Sequence, residues 1–170
     1  NNAQNILNWI KHQNKRISVN YTHVAVAALA DDVTELLLEL ASSKQVEIIN
    51  NISSEDIIKT DKNILAIILN NLISNAIKFT AKGSITIDSK HDVTNYIIAV
   101  SDTGTGMSRE QIDQIQHKIK SKTITVANPS SGSNGNGLGY IIISELIEIL
   151  HGTLTSESIV NEGTTVKIII

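Results

Sequence analysis

Residues 70–80 read NNLISNAIKFT, and the fold turns on how this stretch is understood. Around its polar members stand Ile64, Leu65, Ile67, Ile68, Leu69, Leu72, Ile73, Ala76, Ile77 and Phe79. A run of that length and apolar content is a buried helix. At about 100° per residue, Asn71, Asn75 and Lys78 fall within one narrow arc, so a polar stripe crosses an apolar rod. Polar groups placed there are costly unless something satisfies them. The stripe is therefore either a self-satisfied core network or the wall of a site.

The flanks of this helix give an α/β pattern. Thr60 or Asp61 is its N-cap, and Lys82 and Gly83 end it. Upstream, residues 1–15 place Ile6, Leu7 and Ile10 at helical spacing, and 16–24, RISVNYTHV, are extended. Residues 25–43 repeat apolar positions with a helical period, and VEIINNI at 46–52 is a strand. Downstream, SITIDSK and NYIIAVSD form a hairpin joined at His91 and Asp92, and the second strand runs into DTGTGM. Residues 108–120 are weakly helical. Residues 121–136, SKTITVANPSSGSNGN, are a loop of a length that suits a lid or binding segment. GLGYIIISELIEILHG is a helix opened by glycines and closed by Gly152, and TLTSES and TTVKIII are closing strands around the turn NEG.

Composition bounds what such a chain can do. Its 170 residues suffice for one well-cored domain with a short appendage. With 41% hydrophobic residues, 18% charged residues and a net charge of -3, a folded soluble domain is expected and nucleic-acid binding gains no support. The absence of cysteine removes disulfide frameworks and thiolate zinc sites, and fits a reducing compartment. Apolar stretches are interrupted before membrane-spanning length, and no cleavable signal pattern opens the chain.

Three constellations carry chemistry when taken together: NNLISNAIKFT, DTGTGM and GNGLGY. Gly135, Gly137 and Gly139 precede an apolar helix, where bare backbone N–H groups and the positive helix end can meet phosphate. No Gly-Lys-Ser or Gly-Lys-Thr follows, so this is not a Walker loop, and the loop before it does not suit a Rossmann fingerprint. Asp102 ends a strand and is followed by Gly104 and Gly106, so a carboxylate can accept from the exocyclic amino group of adenine while the backbone turns tightly. Asn75 offers an uncharged oxygen to a magnesium ion that keeps water and phosphate ligands, and Lys78 a point charge to phosphate. On this reading the stripe is one wall of a nucleotide site.

The ordered motifs Asn71-Leu-Ile-Ser-Asn75-Ala-Ile-Lys78-Phe79, Asp102-Thr-Gly104-Thr-Gly106-Met107 and Gly135-Asn-Gly137-Leu138-Gly139 resemble the N, G1 and G2 boxes of the histidine kinase catalytic and ATP-binding domain. That domain belongs to the GHKL superfamily shared with gyrase, the heat-shock chaperone ATPases and the mismatch-repair ATPases. The resemblance covers residues 25–170. It implies a two-layer α/β sandwich of the Bergerat type, a mixed sheet against about three helices, with ATP and Mg2+ held beside a flexible lid over residues 108–136. By the same resemblance, Asn75 is the magnesium ligand, and Asn71 is a phosphate or metal-shell partner one turn earlier. Lys78 contacts phosphate, Phe79 packs near the nucleotide, and Asp102 reads adenine. Gly104 and Gly106 let the base approach, Gly135, Gly137 and Gly139 form the hinge and phosphate side of the lid, and Met107 and Leu138 are nucleotide-binding positions beside them.

In the hydrolysing relatives a Glu stands at the place of Asn71 and activates water, as a general base must. Asn71 cannot take a proton, so the resemblance implies phosphoryl transfer to a separate acceptor, with Asn71 and Lys78 as the catalytic pair and slow hydrolysis. The acceptor it implies is a His, followed by an acidic residue, on a two-helix dimerisation domain. Of the five histidines only His91 precedes an acid, Asp92, and that pair lies at the hairpin connection. Residues 1–24 resemble the end of the second dimerisation helix and its linker. Implied partners are thus that dimerisation domain of the same parent and a response regulator receiver domain. The fragment alone is expected to be a cytoplasmic monomer and the parent a homodimer, with a membrane-bound sensor as one form of parent. Two departures stand out: IDQIQHKIKSK lacks the lid's usual phenylalanine, with Gln116 and Ile119 near its place, and Tyr140 replaces a common Leu. The altered lid motivates an alternative, a degenerate nucleotide-binding module that regulates without transfer; a self-contained ATPase is disfavoured by Asn71.

Overall fold

The computed structural model describes residues 18–121 and 138–170. The helix expected over 1–15 and nearly all of the loop expected over 121–136, with Gly135 and Gly137, lie outside the described residues. Along the rest the order is β1 (Thr22–Ala25), α1 (Val26–Ser43), β2 (Val46–Asn50), β3 (Ile57–Thr60), α2 (Lys62–Phe79), β4 (Gly83–His91), β5 (Tyr96–Asp102), α3 (Arg109–Ser121), α4 (Leu138–Ile149), β6 (Thr153–Ile159) and β7 (Gly163–Ile169).

The main sheet has five strands in the order β2-β4-β5-β7-β6. β2 pairs with β4 in parallel and every other pairing in it is antiparallel, so the sheet is mixed. A parallel neighbour needs a long crossover, and β3 with α2 provides it. On one face α1 packs over β2, α2 over β4 and β5, and α4 over β6, whereas α3 makes its main contacts with α4. Three helices thus cover the sheet and a fourth stands apart at the place of the expected lid. Alternation decides the faces: Ile85, Ile87, Ile98, Val100, Val166 and Ile168 point into the core. The opposite face carries the Ser101 and Thr165 hydroxyls, 2.9 Å apart.

α2 is the central rod. Leu65, Ile68, Leu69, Ile73 and Ile77 are fully buried along it. Asp61 caps it: Oδ1 accepts from the amides of Asn63 and Ile64 at 2.9 and 3.0 Å, satisfying donors that the first turn leaves open. The other oxygen accepts from the amide of Asn20 at 2.8 Å and ties the entering chain to the helix. α2 ends at Phe79, three residues before the predicted stop at Lys82. The reason is long-range: Lys44 donates to the carbonyls of Ile77 and Lys78 at 2.8 and 2.7 Å and so caps the last turn from outside.

β3 is absent from the sequence-based pattern. Its four residues, IIKT, pair only with β1, in a two-stranded ribbon beside the main sheet, and show no alternation to betray them. His91 closes β4 instead of lying in the turn, which Asp92 builds by accepting from the amides of Thr94 and Asn95, both at 2.9 Å. α3 opens with a reciprocal capping box. The Ser108 amide donates to Gln111 Oε1 at 2.8 Å, and the Gln111 amide to Ser108 Oγ at 3.3 Å.

Candidate functional site

The polar stripe of α2 faces the start of α4. Asn75 is half-buried, and a Cβ built on Gly139 would lie 2.9 Å from Asn75 Nδ2. Only glycine lets the two helices approach this closely while leaving the amide in place. One turn earlier Asn71, also half-buried, donates from Nδ2 to the carbonyl of Ile67 at 2.8 Å, folded against its own helix. Lys78 is exposed at the other end, with Nζ 5.4 Å from the centroid of the Phe79 ring. That ring is 40% exposed and stands at the rim.

The second wall is the turn after β5. Asp102 is half-buried, and its Oδ1 accepts from the amide of Gly104 at 2.8 Å. Burial pushes its carboxyl above the usual range, and backbone donors on Gly104 and Thr164 pull it back only in part. A Cβ on Gly104 would strike the carbonyl of Phe79 and come within 2.8 Å of Asp102 Oδ1. That carbonyl also accepts from the amide of Thr105 at 3.1 Å, so the end of α2 and the turn after β5 are joined through backbone. Gly106 has a φ of 64° and sits against the carbonyl of Ile159, where a side chain has no room.

Asn75 and Gly139 are thus brought together directly, and Asp102, Gly104 and the end of α2 form a second cluster. Tyr140, next to Gly139, links the two. Burial, and after it the charge of Asp102, push its hydroxyl up to about 12, which sets it within electrostatic reach of that carboxylate. Asn71 and Lys78 share the stripe of α2, Asn71 one turn before Asn75 and Lys78 in the last turn of the helix. Leu138 begins α4.

The β6–β7 turn lies outside the segments that the sequence marks as the site, yet it holds the turn after β5. Met107 donates its amide to Ser158 Oγ at 2.7 Å, and Asn161 donates its own to the carbonyl of Thr105 at 2.8 Å. Gly163, with a φ of 122°, lies against the carbonyl of Asp102. The only signal for this in sequence is the run NEGTT, a glycine followed by two hydroxyl side chains at the mouth of a strand.

Comparison with known proteins bears on the whole arrangement. Residues 60–170 match the family described as histidine kinase-, DNA gyrase B-, and HSP90-like ATPase. The sensor histidine kinase YclK of Bacillus subtilis is 29% identical over 158 residues, which cover 93% of this chain and 33% of that protein. The adaptive-response sensory kinase SasA of Synechococcus elongatus is 29% identical over 163 residues, covering 94% of this chain and 41% of that protein. The chain therefore spans about a third of the first of these curated relatives and about two fifths of the second. Its fold superposes on the histidine kinase AdeS of Acinetobacter baumannii with a TM-score of 0.76 at 19% identity, covering 99% of this chain and 75% of that one. For the catalytic domain of the histidine kinase ThkA the TM-score is 0.72 at 21% identity, covering 89% and 95%. The structures establish likeness of fold, and the family match spans α2 with its stripe, the turn after β5 and the β6–β7 turn. The chain belongs to the histidine kinase-, DNA gyrase B- and HSP90-like ATPase family.

Proposed function

We propose that this chain is the ATP-binding catalytic module of a sensor histidine kinase. It holds ATP with Mg2+ between the stripe of α2 and the lid that begins at α3, and presents the γ-phosphoryl group to a histidine on a dimerisation domain of the same parent. A response regulator receiver domain then takes the group on an aspartate. The observation that carries this reading is Asp102, a half-buried carboxylate raised by burial at the end of a central strand, with a glycine turn packed against it. Such a group lacks hydrogens that an amino-substituted purine supplies.

The other roles follow from position. Asn75 faces the start of α4, where phosphates meet helix N–H groups. Its uncharged oxygen suits magnesium. Among the described residues no group of three or more His, Asp or Glu side chains converges as a cage, so a cation here keeps water and phosphate ligands. When bound, the ion offsets charge on the β- and γ-phosphates. Asn71 is neutral at the place where hydrolysing relatives carry a base, so the chain orients phosphate without activating water. Lys78, free to swing at the rim, follows the charge that moves toward the leaving ADP oxygen as an imidazole nitrogen attacks phosphorus.

In this proposal residues 1–24 lead from the second dimerisation helix into the catalytic domain, the parent is a homodimer, and this chain by itself is a monomer. Cytoplasmic placement belongs to it as well. Among the described residues no helix is long and apolar enough to cross a membrane. A second reading, nucleotide binding that regulates without transfer, is favoured by α3, whose sequence REQIDQIQHKIKS has no phenylalanine to close over a ligand.

Calorimetric titration with a non-hydrolysable ATP analogue and Mg2+ tests the site, with Asp102→Asn and Asn75→Ala beside the wild type. Binding that weakens in both variants, together with acid-labile phosphate on a matched dimerisation domain, supports the kinase. Binding without transfer favours the regulatory module, and rapid phosphate release without an acceptor would revive the self-contained ATPase.

A further inference from the structure

One hydroxyl sits where two parts of the site meet. Ser158 Oγ accepts from the amide of Met107 at 2.7 Å, a residue 51 positions away in the chain. It donates to the carbonyl of Gly163 at 2.9 Å and lies 2.9 Å from Thr164 Oγ1. A serine hydroxyl has one hydrogen and two lone pairs. With the hydrogen on Gly163 and one lone pair on Met107, the contact with Thr164 requires the threonine to donate. Ser158 is then fully satisfied, and Thr164 turns only acceptor lone pairs to its other side.

The two sides of this hub differ in what they lead to. Met107 immediately precedes Ser108, whose capping box opens α3, so the pinned amide is the last fixed point before the lid. Thr164, 9% exposed, is paired with Asp102 across β5 and β7, and its backbone donates to the Asp102 carboxyl. The neighbouring backbone is already in contact, with Gly106 against the carbonyl of Ile159 and Gly163 against that of Asp102. A hydroxyl on a strand more often serves its own backbone neighbours. Reaching Met107 is what sets this one apart.

We infer that Ser158 is a positioning residue that couples the root of the lid to the base-reading wall, holding Met107 in register with Thr164 and, through it, with Asp102. Its geometry stands on the distances above, and its consequence for ligand rests on the nucleotide reading of the preceding subsection.

The test uses Ser158→Ala, which removes the hydroxyl, and Ser158→Thr, which keeps it. Three quantities are read: amide hydrogen exchange at Met107 with the core amide of Ile98 as control, affinity for a non-hydrolysable ATP analogue, and the preference for that analogue over one lacking the exocyclic amine. Loss of a half-buried partner, at the cost usual for an unsatisfied donor, accelerates Met107 exchange about tenfold in Ser158→Ala. It also weakens the ATP analogue about tenfold and narrows the preference for the amine. Ser158→Thr restores all three. Unchanged exchange at Met107 would overturn the pin. A lowered melting temperature with exchange raised equally at Ile98 and base preference intact would reduce Ser158 to a structural hydroxyl and overturn the coupling. A wild-type chain that fails to bind the analogue would strike the nucleotide reading itself, whereas normal binding with an unaltered preference in Ser158→Ala would defeat this inference alone.

Discussion

The two ends of β5 each hold an aspartate, and the fold treats them in opposite ways. At the start, Tyr96 and Ser89 donate their hydroxyls to one oxygen of Asp56, both at 2.6 Å. Those bonds, Ser89 first and Tyr96 second, hold its carboxyl below the usual range, with a smaller contribution from the charge of His91. At the end, about 20 Å away by strand rise, burial lifts Asp102 above the usual range and two backbone donors only partly offset it. Asp56 finds its partners inside the protein and ties the segment before β3 to the β4–β5 hairpin. Asp102 is desolvated beyond what the fold satisfies. The first is a structural carboxylate; the second has the signature of one that awaits hydrogens from a ligand.

The largest expected effect tests that contrast at Asp102. Asp102→Ala should weaken binding of a non-hydrolysable ATP analogue about 100-fold, the upper part of the range for hydrogen bonds to a charged group. The melting temperature of the free chain should fall only slightly, because relief of a desolvated charge offsets the lost acceptor of the Gly104 amide. Calorimetric titration and thermal denaturation on one preparation read both. A clear drop in melting temperature with little change in affinity would make Asp102 another Asp56.

Tyr96→Phe probes the other end. It removes one short hydrogen bond to Asp56, costing about 1 kcal/mol, or a few degrees in melting temperature for a domain of this size. Affinity for the analogue should stay within about twofold. Coupling between Tyr96 and nucleotide binding would show that the two ends of β5 are not independent.

These regions differ in how far they can be read from the chain alone. The stripe of Asn71, Asn75 and Lys78, the Asp61 cap and the placement of Asp102 at a strand's end are legible because they depend on local spacing and on glycine chemistry a few residues away. The Asp56 cluster is not legible, since Ser89 and Tyr96 meet it only after the β4–β5 hairpin has formed. The same holds for Ser158 and Met107, for Lys44 on the last carbonyls of α2, and for β3, whose pairing with β1 alone defines it. Each of these is a contact across tens of residues between side chains whose types are common everywhere. Tyr140 lies between the two cases. Its departure from Leu is visible in sequence, but its approach to Asp102 needs the packing of α4 against α2.

Lys44→Met sharpens the comparison at the boundary of the site. Lys44 caps the end of α2, whose last carbonyl, that of Phe79, receives the amide of Thr105. Loss of a cation from a helix C-terminus costs about 0.5–1 kcal/mol, so a fall of about 1–3 °C in melting temperature is expected. Affinity for the analogue should change about twofold at most. A larger loss of affinity would mean that the turn after β5 takes its shape from the helix end and not only from the β6–β7 turn.

The smallest effect is in pH, and there the two aspartates pull in opposite directions. Asp102 is raised in the folded state, so the fold binds more protons than the unfolded chain between the ordinary aspartate value and the raised one. Its contribution to stability is fully present below the ordinary value and is lost as pH rises through the raised one. Asp56 is lowered, so its contribution is present above the ordinary value and disappears as pH falls through the lowered one. Acidification should therefore first relieve Asp102, with a slight gain in stability of the free chain and weaker ATP binding as the acceptor is protonated. Only further acidification should then undo Asp56. Melting curves of the wild type, Asp102→Asn and Tyr96→Phe across this range separate the two. Asp102→Asn should lose the early gain, Tyr96→Phe should soften the later fall, and affinity in Asp102→Asn should no longer follow the first step. If all three chains share one profile, neither carboxylate is tuned as its surroundings imply, and the contrast between the ends of β5 has no energetic content.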